Sequence, residues 1–78
     1  MKHLSSVFRM DMPPLTKLVY AILRLKSQGE PIGIAKAEIA KQLRCSDKAV
    51  LHALRRLEGK GLLIVSPQKH GPNEYKVL

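Results

Sequence analysis

Between residues 15 and 23 the apolar positions Leu15, Leu18, Val19, Ile22 and Leu23 recur at the i, i+3, i+4, i+7, i+8 spacing of an amphipathic helix. Pro13 and Pro14 stand just ahead, where a fixed φ suits a first helical turn, so the pattern predicts a helix over 14–27. Gln28, Gly29, Glu30 and Pro31 break the period, because glycine is permissive after a helix and Pro31 cannot continue one. A short extended piece over 31–34 leads to a second helix over 35–43, with Ile39, Ala40 and Leu43 inward. Ser46 is suited to cap a third helix, since its hydroxyl can accept a bond from a first-turn N–H, and Asp47 adds negative charge at that positive end. Val50, Ala53, Leu54 and Leu57 form the apolar face of this helix, which leaves Lys48, His52, Arg55 and Arg56 around the other sides. Gly59 and Gly61 end it.

Beyond Gly61 the period changes. Residues 62–65 are a short apolar run, residues 74–78 alternate with Tyr75 and Val77 on one side, and Gly71-Pro72 lies between them. This predicts a hairpin with a polar, basic tip at 68–73. Pro67 lacks a donor and belongs on an edge strand or at a strand's end. The fold class expected is α+β, three helices followed by a two-stranded hairpin. Residues 1–12 have no clean period, yet Leu4, Val7, Phe8, Met10 and Met12 make them too apolar for a plain tail. They are a candidate dimer element attached to a folded domain over 13–78.

Composition narrows the function. Fourteen Lys or Arg against six Asp or Glu give 78 residues a net charge of +8, on a chain that is 45% hydrophobic. A chain this short buries only roughly 60–65% of its unfolded surface, which argues against a large enzyme with a deep pocket. The apolar fraction is too high for a disordered basic tail, and no apolar run approaches the ~18 residues of a membrane span. The charge surplus predicts attraction to a polyanion, of which nucleic acid is the commonest inside a cell. Cys45 alone cannot form an internal disulfide, and nothing near Met1 has the layout of a secretion signal, so the expected location is cytoplasmic. His3, His52, His70 and Cys45 lack metal-ligand spacing, and Gly59-Lys60-Gly61 lacks the first glycine and the Ser or Thr of a phosphate loop. No metal, cofactor, small-molecule ligand or catalytic activity is expected.

From Ile39 the chain reads IAKQLRCSDKAVLHALRRLEGKGLLIVSPQKHGPNEYKVL. This resembles the winged helix-turn-helix DNA-binding domains in which a short helix ending IAK.L is followed by a recognition helix ending L..LE.KGL. The matching residues are Ile39-Ala40-Lys41, Leu43, Ser46, Val50, Leu54, Leu57-Glu58 and Lys60-Gly61-Leu62, and the likeness extends over 14–78. It implies that double-stranded DNA is the partner, read by the third helix and a basic wing formed by the hairpin. By motif position, Ser46, Asp47, Lys48, Leu51, His52 and Arg55 are the candidates for groove contact. Lys36, at the start of the second helix, is placed to meet a phosphate, with Lys17 as an outer candidate. At the wing tip Lys69 supplies charge and His70 a weaker contribution. Leu51 departs from the family pattern, in which a polar residue is usual there; an apolar side chain at that place can touch a thymine methyl or a protein partner. The resemblance implies a sequence-specific transcriptional regulator of the small prokaryotic or viral type, acting as a homodimer and associated with the nucleoid. A winged-helix protein-interaction module and a replication or recombination accessory protein are the alternatives.

Overall fold

The computed structural model describes residues 4–78. The chain runs α1 (Leu4–Phe8), α2 (Pro14–Ser27), β1 (Ile32–Gly33), α3 (Lys36–Leu43), α4 (Asp47–Gly59), β2 (Leu63–Ser66) and β3 (Glu74–Val77). The class is α+β, with four helices and a three-stranded antiparallel sheet where three helices and a two-stranded hairpin were expected. The added helix, α1, has five residues and no acidic group in its first turn, too short to show a period and held by packing on α2. The added strand is the extended piece before α3. Its Ile32 and Gly33 pair with Tyr75 and Glu74, which makes β3 the central strand in the order β1-β3-β2.

Of the 1–12 segment, residues 1–3 lie outside the described residues. In the remainder, Val7 and Met12 are buried in the core shared with the helices and sheet, while Phe8 stays 42% exposed.

α2 spans the expected residues but turns a different side inward. Thr16, Val19, Tyr20, Leu23 and Ser27 are buried; Leu15 and Ile22 are half-buried, and Leu18 is 46% exposed. The helix is apolar around more than one side, so spacing alone fits two adjacent faces. The side containing Tyr20 is the one that packs, because it buries a whole aromatic ring and also gives the hydroxyl an acceptor, the Leu78 carbonyl at 3.3 Å.

Between α3 and α4 the chain reverses over residues 44–46. Arg44 takes the left-handed conformation (φ 54°), and the Cys45 N–H reaches back to the Ala40 carbonyl at 3.0 Å. The Ser46 hydroxyl then accepts the Ala49 N–H at 3.1 Å and opens α4 as the expected cap. Val50, Ala53, Leu54 and Leu57 are all buried against α2, α3 and β2. Each such aliphatic side chain of Val or Leu size contributes about 1.5–3 kcal/mol. The result is that α4 has one rotational setting, and its outward side is fixed.

In the sheet, Tyr75 and Val77 point inward opposite Val65 and Leu63, with Glu74 and Lys76 on the outer face. β2 begins and ends one residue later than the sequence pattern suggested, and Pro67 follows its last residue, where no ladder donor is required.

Candidate nucleic-acid interface

With four inward residues setting the rotation of α4, the position of every other side chain follows from 100° per residue. Lys48, His52 and Arg55 fall within about 60° of one another on the side opposite the core. All three are exposed. Ala49 and Arg56 lie on the flank toward the start of α2, where they and His52 border a shallow depression with Pro13, Leu15 and Thr16. Asp47, in the first turn, is exposed as well. The Ser46 hydroxyl is engaged as the cap acceptor, but it still has a proton to donate.

Leu51 lies on the other flank of α4. It is half-buried, not free-standing on the outer face, and forms one wall of a cleft of about 130 Å³ with Leu54, Val65 and Tyr75. Lys36, Arg55 and Glu58 line the same cleft, two cations against one carboxylate. The fold thus brings Lys36, Leu51 and Arg55 together although 15 residues separate the first two. Lys36 is the first residue of α3, whose N-cap Ala35 has no side chain able to satisfy a first-turn N–H. Burial pushes the Tyr75 phenol above its ordinary pKa, against the smaller opposing effect of the Asn73 side chain hydrogen-bonded to it. The ring therefore stays neutral in the cleft.

Lys69 and His70 stand apart, both exposed on the loop between β2 and β3. Gly71 turns that loop at φ +87°, a conformation open to glycine, and the Gln68 side-chain amide donates to the Ser66 carbonyl at 3.3 Å. Lys17 belongs elsewhere. Its Nζ donates to the Phe8 carbonyl at 2.6 Å, placing the ammonium at the C-terminal end of α1.

One further cation sits beside these candidates. Arg44 is exposed in the turn directly ahead of Ser46 and keeps a backbone conformation that glycine adopts more easily. A charged residue at the position where a helix usually ends in glycine was the available signal. Among the described residues no group of three or more His, Cys, Asp or Glu could hold a metal ion, and no helix is long and apolar enough to cross a membrane.

No protein-family model and no curated protein matches this chain. Among solved structures, one described as "N-Terminal domain of DNA binding protein" superposes with a TM-score of 0.73 over 87% of this chain, at 20% sequence identity. The two share a fold. The alignment takes in 62% of the length of that solved chain.

Proposed function

We propose that this chain is a winged helix-turn-helix domain that binds double-stranded DNA, with α4 in the major groove and the β2–β3 loop as the wing. The observation that carries the reading is the ridge of Lys48, His52 and Arg55 on α4, held outward by the burial of Val50, Ala53, Leu54 and Leu57. An exposed helix with a fixed rotation and two cations on its outer side suits a major groove, which is wide enough for one helix. Lys36 and Lys69 serve as phosphate contacts that set the register, Arg55 and Lys48 reach a guanine or a phosphate, and Leu51 is the apolar contact. The fold shared with a domain of a protein described as DNA-binding supports the same partner.

The role we infer is that of a transcriptional regulator. One domain of this size spans few base pairs, so useful specificity calls for two copies on neighbouring half-sites. Phe8, left exposed beside the buried Val7, is an apolar group of the N-terminal segment that such a homodimer would cover.

Binding to a labelled duplex of about 25 base pairs across a salt series tests the reading, since log K falls by about 0.9 per decade of salt for each phosphate contacted. The expected result is a slope of several phosphates, reduced together with affinity in the Lys48→Ala, Arg55→Ala double variant while its melting temperature is unchanged. Unaltered affinity in the double variant would remove α4 from the interface.

A further inference from the structure

Of the four large apolar side chains exposed among the described residues, two lie on the same line of α2: Leu18 is 46% and Leu25 73% exposed. They are seven residues, two turns, apart, with Ala21 and Ile22 half-buried between them. At 100° per residue this line is roughly opposite the inward set Val19, Tyr20 and Leu23. α2 therefore has two apolar sides, of which the fold uses one. Its inward side packs on α4, and the stripe points away from that contact.

Charge selects what covers the stripe. Lys17 and Lys26 flank it, α2 contains no Asp or Glu, and Glu38 of α3 borders the depression beside Leu25 and Lys26. A second copy laid α2 against α2 would set cations against cations on a chain of net charge +8.

We propose that the outward stripe of α2 docks an acidic amphipathic helix of a partner protein. Apolar residues at i, i+4 and i+7 of that helix pack against Leu18, Ile22 and Leu25, and its carboxylates face Lys17 and Lys26. This site is distinct from that of the DNA reading, since it uses none of the α4 residues.

The test uses the full chain and a fluorescein-labelled peptide of about 18 residues, made of leucine and glutamate with leucines on one helical face. The control peptide has the same composition, scrambled so that no apolar face forms. Anisotropy titrations are expected to give at least about tenfold tighter binding of the patterned peptide. That preference is expected to disappear in the Leu18→Ser, Leu25→Ser variant, which keeps its duplex affinity and melting temperature. The Lys48→Ala, Arg55→Ala variant is expected to keep it. Equal binding of the two peptides, or undiminished binding by the Leu18→Ser, Leu25→Ser variant, overturns the proposal. Loss of the preference in the Lys48→Ala, Arg55→Ala variant also does so, because the peptide then sits on α4. A dimer seen in sedimentation that Leu18→Ser with Leu25→Ser dissolves overturns it too, since a second copy then covers the stripe.

Discussion

The Tyr20 hydroxyl donates to the Leu78 carbonyl at 3.3 Å and so joins the middle of α2 to the end of β3 across 58 residues. The Leu78 N–H is bonded in turn to the Leu62 carbonyl at 3.0 Å, which ties the same residue to the lead-in of β2. Tyr20→Phe keeps the buried ring and deletes only the hydroxyl bond. The expected loss is about 1 kcal/mol in chemical denaturation, a fall of roughly 4–8 °C in melting temperature for a domain of this size. Tyr20→Leu, which also opens space in the core, is expected to cost more.

The two tyrosines give stability a pH limit on the alkaline side. Burial raises the phenols of Tyr20 and Tyr75 above the ordinary 10.0, more than the charge of Arg24 or the bond from Asn73 lowers them. A folded pKa above the unfolded one means that the contribution is fully present below about pH 10 and is lost as pH rises through the folded value. Urea denaturation at about pH 9 and about pH 11 is therefore expected to give a lower midpoint at the higher pH. The Tyr20→Phe, Tyr75→Phe double variant is expected to narrow that difference.

Ser46 holds the first turn of α4 by accepting the Ala49 N–H. Ser46→Ala leaves that donor without its partner and is expected to cost about 1 kcal/mol; Ser46→Asn, which can accept the same bond, is expected to recover most of it. Thermal melts of the three proteins decide the point. An equal loss for Asn and Ala would mean that the hydroxyl acts through something other than the cap.

How far the sequence could be read depended on whether a signal was local. The cap at Ser46 and the inward set Val50, Ala53, Leu54 and Leu57 were legible because α4 has polar residues on its other sides, so one helical phase fits. α2 lacks that contrast. With Leu18, Ile22 and Leu25 as apolar as Val19 and Leu23, only the packing of Tyr20 against the sheet decides which side is inside. β1 has two residues and exists as a strand through its pairing with Tyr75 and Glu74, a partner more than 40 positions away. The same distance effect governs the candidate site. Lys48, His52 and Arg55 share a face by helical arithmetic alone, whereas the meeting of Lys36 with Leu51, and the half-burial of Leu51 over Val65 and Tyr75, require the tertiary fold.

Arg44 is expected to set stability against binding. Its φ of 54° places an ordinary side chain in the left-handed region, at a cost of about 1 kcal/mol relative to glycine. Arg44→Gly is expected to raise the unfolding free energy by about that amount. The same change removes a cation from the turn ahead of α4 and is expected to weaken duplex binding. Opposite movements of the denaturation midpoint and the duplex affinity would identify Arg44 as a phosphate contact held in an unfavourable conformation; a more stable protein with unchanged affinity would leave it a turn residue only.

Leu51 and Lys69 are expected to fail in different ways, and the difference separates base reading from backbone attraction. Leu51 has no charge, and what it can offer a major groove is contact with the 5-methyl group of thymine. Duplexes identical except for uracil in place of thymine should then bind the native chain more weakly, and Leu51→Ala should erase the difference without altering the salt slope. Lys69 is exposed on the β2–β3 loop, and under the proposed DNA reading it is expected to meet phosphate whatever the sequence. Lys69→Ala should lower the slope of log K against log salt by about 0.9 on both duplexes equally. If Leu51→Ala instead weakens both duplexes alike, its half-buried side chain serves to hold the α4–sheet cleft in shape, and the reading of bases rests on Lys48 and Arg55.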